Sequence, residues 1–121
     1  MIQGGGFAPD FQQKPTHEPI VSEANNRLKN QRGTVAMART DNPHSATAQF
    51  FINVRDNNFL DYAENATEIK WGYTVFGKVI KGMEVADKIQ KLKTGSRGPL
   101  RTDVPLTTVT IEKMFVVRAK D

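Results

Sequence analysis

The sequence contains no cysteine among its 121 residues and only two histidines. The absence of cysteine excludes disulfide bridges, thiol nucleophiles and thiolate metal sites. His17 and His44 lie in turn-rich segments, and neither has a carboxylate or a second histidine at metal-ligand spacing. We therefore expect no metal and no cofactor, and we interpret both histidines as hydrogen-bonding loop residues.

Long apolar runs are also missing. No stretch of about 20 apolar residues could span a bilayer, and the first residues lack the basic and then apolar regions of a signal peptide. We expect no membrane partner.

Basic residues exceed acidic ones, 17 against 13, for a formal net charge of +4. Between Asp87 and Asp103 every charged residue is basic: Lys88, Lys91, Lys93, Arg97 and Arg101. Acidic residues lie nearby, however, and no interleaved aromatic side chains could stack on bases. This stretch is more typical of a solvated face of mixed charge, so we do not expect a nucleic-acid partner.

The chain has the size and composition of one globular domain, with 38% hydrophobic and 25% charged residues. We find no internal repeat and no linker, so residues 1–121 are interpreted as a single domain. The glycine triplet in QGGGF matches neither dinucleotide-binding nor phosphate-loop spacing. Glycine is common where the backbone turns or passes close to another group.

Three short segments are predicted to be strands: GTVAMAR, AQFFINV and YTVFGKVI. They follow a long segment over residues 7–33 that has three prolines and no sustained periodicity, which predicts an irregular loop. In the second strand, the period of two places Gln49, Phe51 and Asn53 on one face. Phe50 and Ile52 lie on the other face, which we expect to face the core. A strand that is apolar on both faces is typical of a barrel wall or of a sheet beneath a second layer.

One helix is predicted over MEVADKIQKL, where Val85, Ile89 and Leu92 are spaced to form an apolar stripe. Acid-then-base pairs four residues apart should support it on the outside. A loop that contains glycine and proline follows. TTVTIEKMFVV then predicts a long closing strand with a bend near Glu112 and Lys113, where the apolar phase changes.

If the protein is an enzyme, these residues favour a reaction that needs neither a nucleophile nor a metal. A set of motifs then points to a family: MIQGGGF, SEANNRLKN, RGTVAMAR, HSATAQFFINV, NNFLD, WGYTVFGKVIKGMEVADKI and TDVP. Together they resemble the cyclophilin-type peptidyl-prolyl cis-trans isomerases of bacteria. The resemblance implies a mainly β fold, an eight-stranded closed barrel capped by helices. It also implies an isomerase that accelerates rotation about X-Pro bonds and assists protein folding. We expect the cytoplasm as its compartment, or the periplasm if an upstream signal exists.

The resemblance also implies a proline pocket formed by Met1, Phe51 and Leu60. Phe59 and Tyr73 would lie at its rim, and all except Phe51 are assigned to substrate binding. Phe51 is assigned a catalytic role as the floor of the pocket. Because Phe59 occupies the position of a tryptophan in cyclosporin-sensitive members, we expect weak cyclosporin binding.

Two side-chain amides, those of Gln3 and Gln49, are implied to be catalytic through hydrogen bonds to the substrate backbone. Ala38 and Arg39 are implied to bind substrate, with the backbone of Arg39 pairing with the substrate backbone. The expected partners are proline-containing polypeptides, and we expect a monomer when the domain is complete.

One departure from the family pattern concerns the segment that precedes QGGGF. In the family this segment supplies two strands, the first helix and a Phe-His-Arg stretch whose arginine weakens amide resonance. Arg55 follows FFINV and does not match that arginine. We therefore expect an amino-terminally incomplete barrel, and two functions stay open: an isomerase, or a proline-peptide binding module without catalysis.

Overall fold

A computed structural model of the chain describes residues 1–118. Most of its regular structure is β, which confirms the predicted class. The strands are β1 (Ile2–Gly4), β2 (Thr34–Met37), β3 (Phe50–Ile52), β4 (Ala63–Glu64), β5 (Ile69–Lys70), β6 (Val75–Lys78), β7 (Thr94–Arg97) and β8 (Leu100–Pro105). One helix, α1 (Met83–Gln90), and one 3-10 turn, Asn58–Leu60, complete the regular elements of these residues.

The three predicted strands join β1 in a four-stranded antiparallel sheet of order β1-β3-β2-β6. Gln3 lies opposite Phe51, Phe51 opposite Ala36, and Ala36 opposite Val75. Residues directly opposite each other on antiparallel strands share a face. These four residues therefore form one row across the whole sheet, and we call the face that carries them the site face.

The largest buried apolar cluster lies on the site face. It comprises Ala36, Phe51, Leu60 and Val75, with Ala38 and Tyr73 packed against it. Phe50 and Ile52 are only half-buried, whereas Phe51 is 2% exposed. The expectation that Phe50 and Ile52 face the core is thus corrected. The most deeply buried ring of β3 is on the other face, because Leu60 and Tyr73 cover it there.

Helix α1 confirms the predicted helix, but only part of the predicted apolar stripe. Ile89 and Leu92 are half-buried, whereas Val85 is 55% exposed and the neighbouring Ala86 is buried instead. Gly82, with φ of +89°, precedes the helix in a left-handed conformation that glycine adopts without strain. Asp87 of this helix forms an ion pair with Arg32, with 2.8 Å between Oδ1 and Nη1.

The carboxyl-terminal part differs most from the sequence prediction. The predicted loop over residues 93–106 contains the hairpin β7–β8, which turns at Gly98 with φ of +55°. The predicted closing strand over residues 107–117 is wrong, because residues 106–118 form no strand. A strand needs a neighbouring edge to accept its backbone hydrogen bonds. This segment instead has no regular structure, and its large apolar side chains are exposed: Val109, Ile111, Met114 and Phe115.

Strand pairing divides the described residues into one four-stranded sheet and two hairpins, β4–β5 and β7–β8. The irregular segment over residues 7–33 is confirmed, since it has only isolated bridges from Phe7 to Gln13 and from Ile20 to Ala46. Within residues 1–118, no helix combines the length and the apolar character needed to cross a membrane.

Candidate active site

An apolar floor occupies the middle of the site face. Phe51 and Leu60 are 2% and 8% exposed, and the ring of Tyr73 meets the ring of Phe51 edge to face at 5.7 Å. Leu60 comes from the 3-10 turn and Tyr73 from the residues just before β6, and the Tyr73 N–H donates to the Leu60 carbonyl at 2.9 Å. Three residues assigned to the pocket from the sequence are thus in one cluster.

Two side-chain amides lie next to this floor. Gln3 Nε2 donates a hydrogen bond of 2.9 Å to Gln49 Oε1. The backbone of Gln49 is also fixed, because its carbonyl accepts the Ala38 N–H at 2.9 Å. The bond between the amides uses the acceptor of Gln49 and one donor of Gln3. The two donors of Gln49 Nε2, the second donor of Gln3 Nε2 and the acceptor Gln3 Oε1 are therefore groups that this pair can offer to a peptide.

The glycine triplet makes room for Gln49. A Cβ built on Gly6 would lie 2.6 Å from Gln49 Cδ and 2.8 Å from its Nε2, so the glutamine side chain lies directly over the Gly6 backbone. At Gly5, φ is +92° and a Cβ would lie 2.6 Å from the Ala48 carbonyl oxygen. The triplet thus allows the chain after β1 to turn closely beneath the catalytic amide candidate.

Arg39 contributes its side chain to the rim, although the sequence pointed only to its backbone. Its guanidinium stacks over the Tyr73 ring at 4.5 Å from the centroid. Nε and Nη2 both donate to the Gly72 carbonyl, at 3.1 and 2.7 Å, and Nη1 donates to the Thr40 carbonyl at 2.8 Å. The guanidinium therefore fixes Tyr73 from outside.

Phe59 and Met1 lie at the edges of the site. Phe59 precedes Leu60, is 64% exposed, and its carbonyl accepts a hydrogen bond from Lys70 Nζ. Met1 is 46% exposed and precedes β1, where its parity matches that of Gln3. Contact of Met1 with the pocket stays a prediction.

Three buried asparagines that the sequence did not single out for the site lie beneath it. Asn30 and Asn53 are 0% exposed and Asn57 is 4% exposed. Asn53 Nδ2 donates to Asn30 Oδ1 at 3.0 Å, and Asn57 Nδ2 donates to Asn53 Oδ1 at 2.8 Å. The only signal in the sequence was the presence of Asn53 on the same strand face as Phe51. Asparagines are common in loops, so nothing distinguished Asn30 and Asn57.

His44 is the hydrogen-bonding loop residue that the sequence predicted. Its Nδ1 accepts the Ser22 N–H at 3.0 Å, and its ring lies against Trp71 at 5.0 Å. Trp71 also contacts Tyr62, with ring centroids 5.6 Å apart. These contacts connect three loops just beyond the Arg39 rim.

A mainly β domain that presents an apolar floor, an aromatic rim and paired amides on one sheet face is suited to holding a peptide. A family model described as cyclophilin type peptidyl-prolyl cis-trans isomerase/CLD matches residues 1–116. The chain belongs to this family, whose function is peptidyl-prolyl cis-trans isomerisation.

The curated relatives carry matching names. The chain is 58% identical to peptidyl-prolyl cis-trans isomerase B of Escherichia coli (strain K12), over 96% of this chain and 70% of that protein. It is 59% identical to peptidyl-prolyl cis-trans isomerase cyp18 of Streptomyces antibioticus, over 97% and 69%. Identity to peptidyl-prolyl cis-trans isomerase A of Dickeya dadantii (strain 3937) is 50%, over 98% and 60%.

Proposed function

We propose that the site face binds an X-Pro segment and accelerates rotation about its prolyl peptide bond. The observation that carries this proposal is the row across the sheet, which pairs Gln3, whose amide bonds Gln49, with the buried Phe51. Rotation has a barrier of about 20 kcal/mol because it breaks amide resonance. It makes no new covalent bond, so binding the twisted state more tightly than the planar isomers is sufficient.

The proline ring is proposed to lie against Leu60, with Phe51 beneath it and with Tyr73 and Phe59 at the rim. Burial of Phe51 to 2% exposure means that most of its ring supports the pocket from below. Met1 would complete the apolar wall, since its parity puts it on the site face.

Backbone recognition is proposed to involve Gln3, Gln49 and the segment Ala38–Arg39. The Gln49 donors would bond the carbonyl that rotates, because hydrogen bonds aimed at the twisted state stabilise it electrostatically. The segment directly follows β2, and the backbone of Arg39 is proposed to pair with a substrate strand. The fixed Arg39 side chain supports this role, since it holds the segment against Gly72.

The four-stranded sheet is proposed to be a wall of the closed eight-stranded barrel expected for the family. Support comes from its two apolar faces: Val35, Met37 and Ile52 alternate with the site-face residues and are half-buried. We also propose proline-containing polypeptides as partners.

A second candidate is a module that binds proline peptides without isomerising them. The state of Arg39 favours it: the guanidinium is already bonded to Gly72 and Thr40 and stacked on Tyr73. A cation held in this way is not directed at a prolyl nitrogen.

Exchange spectroscopy on an X-Pro peptide, together with a binding titration, separates the two candidates. An isomerase speeds cis-trans exchange at substoichiometric concentration, whereas a binding module shifts peptide resonances without speeding exchange. Gln49→Ala should reduce the exchange rate, and Gln12→Ala is the matched control, because Gln12 is an exposed loop glutamine. If the parent chain neither binds the peptide nor speeds its cis-trans exchange, both candidates are contradicted.

A further inference from the structure

The three buried asparagines form a chain of amides that ends on the backbone of two pocket residues. Asn30 Nδ2 donates to the Leu60 carbonyl at 3.0 Å and to the Tyr73 carbonyl at 3.2 Å. It also approaches Asp61 Oδ1 at 3.2 Å, so its two hydrogens serve three acceptors. One primary amide thus bridges the turn that carries Leu60 and the strand entry that carries Tyr73.

The other end of this chain is fixed to the sheet. Asn53 lies two residues after Phe51 on the same strand face, and its Nδ2 also donates to Thr34 Oγ1 at 2.9 Å. Asn57 Nδ2 closes the chain on Asn53 Oδ1, and the Asn57 N–H donates to the Asn30 carbonyl at 2.8 Å. The amides therefore connect the strand of the pocket floor with both of its walls.

Because the amides are buried, this network favours one arrangement of the backbones that it connects. The amide of Asn30 is 0% exposed, so water cannot replace a lost partner without entering the core. Buried polar side chains within residues 1–118 all have hydrogen-bond partners. A fully satisfied buried amide network favours one arrangement of the backbones that it joins, because any shift leaves a donor or acceptor unpaired.

We propose that Asn30 is a positioning residue of the isomerase site. Its carboxamide sets the separation of the Leu60 and Tyr73 backbones, and thereby the positions of the two side chains that pack on Phe51. This proposal rests on the proposed function, because that function has the proline ring bind against these side chains.

Asn30→Leu removes the amide and keeps a side chain of similar size. We expect the KM for an X-Pro peptide to rise about tenfold, while kcat stays within about twofold, because the walls hold the ring equally in both planar isomers and in the twisted state. Asn42→Ala is the control, since Asn42 is an exposed loop asparagine whose Oδ1 accepts the His44 N–H, outside the segment 60–73 that carries both walls. Its KM should stay at the parent value when both variants are compared at equal folded fraction.

A second readout needs no peptide. The Tyr73 N–H donates to the Leu60 carbonyl, so it joins the same two residues that the Asn30 amide connects. The Ala38 N–H donates to the Gln49 carbonyl, and neither of these residues is bonded by Asn30. In Asn30→Leu we expect hydrogen exchange at Tyr73 to accelerate at least tenfold more than at Ala38. A merely structural role would accelerate both by the same factor through global unfolding.

Equal acceleration at the two amides, or an unchanged KM in folded Asn30→Leu, would overturn the proposal. If Asn30→Leu does not fold, Asn57→Ala takes its place, because it removes only the bond to Asn53 and should produce the same changes at smaller size. If the parent chain shows neither binding nor turnover, the proposed function is contradicted instead. The comparison of hydrogen exchange at Tyr73 and Ala38 would still decide whether Asn30 positions the Leu60 and Tyr73 backbones.

Discussion

Replacing Gly6 by alanine tests the assignment of Gln49 without touching a predicted site residue. The new methyl group would lie 2.6 to 2.8 Å from Cδ, Cγ and Nε2 of Gln49, closer than nonbonded atoms approach. The backbone at Gly6 is not left-handed, so alanine fits the chain itself. The half-buried Gln49 side chain is flexible and must therefore move, which breaks its bond to Gln3.

The expected loss follows from that displaced amide. One hydrogen bond contributes about 0.5–1.5 kcal/mol net, and about 1.4 kcal/mol corresponds to a factor of ten in rate. We expect kcat for X-Pro exchange to fall about tenfold in Gly6→Ala with little change in KM. The free energy of unfolding should change by less than about 1 kcal/mol, because the alanine also reduces the entropy of the unfolded chain.

The matched comparisons are Gly5→Ala and the double variant that combines Gly6→Ala with Gln49→Ala. Gly5→Ala should destabilise the fold, because its φ is +92° and its Cβ would meet the Ala48 carbonyl, which cannot move independently. Gly6→Ala should have no further effect on kcat when Gln49 is already alanine. Full activity of Gly6→Ala, or an undiminished loss in the double variant, would refute the role of Gln49.

Three further results are expected. Phe51→Leu should lower kcat/KM more than Phe50→Leu at equal folded fraction, because only Phe51 lies on the site face; equal losses would mean that Phe51 is plain core. Phe59→Trp should strengthen cyclosporin inhibition by adding an indole N–H and contact area at the rim, and tight inhibition of the parent would contradict this. The Arg32 guanidinium, by hydrogen bonds and charge, lowers the pKa of Asp87. The ion pair therefore stabilises the fold at pH values above the pKa of about 3.9 that aspartate has in the unfolded chain. This stabilisation is lost as the pH falls through the lower pKa of Asp87 in the folded protein. Chemical unfolding should show the deficit of Asp87→Asn at about pH 6 and its disappearance on acidification; a deficit independent of pH would exclude the ion pair as its cause.

Local periodicity was enough to predict the elements that pack against one another. Strands β2, β3 and β6 and helix α1 each carry an apolar pattern of their own, and all four form. The hairpin β7–β8 was missed, because its strands are polar and lack alternation. The predicted closing strand over residues 107–117 failed for another reason. Apolar residues alternate on each side of the phase change at Glu112 and Lys113, but a strand forms only against an available edge, and the sequence does not say which edge is available.

In the candidate site, too, some residues follow from a local sequence pattern and others only from tertiary packing. Parity alone put Gln49 and Phe51 on one face, and the register of β1 then brought Gln3 opposite Phe51. The side chain of Arg39 bonds a backbone atom 33 residues away, and the amide of Asn30 bonds one 30 residues away. Such partners are determined by tertiary packing, so no local pattern in the sequence could indicate them.

Apolar and polar parts of the site are expected to act on different kinetic constants. Contacts of a proline ring with Leu60 and Phe51 hardly change as the preceding carbonyl rotates, so they stabilise planar and twisted states alike and lower KM without raising kcat. A hydrogen bond from Gln49 to that carbonyl depends on its direction and can favour the twisted state alone. The apolar residues of the site face are thus expected to bind the ring, and the Gln49 amide to stabilise the twisted state. Loosening the pocket through Asn30 should raise KM, whereas displacing Gln49 through Gly6 should lower kcat. If displacing Gln49 raises KM and leaves kcat unchanged, the amide serves mainly to bind the substrate.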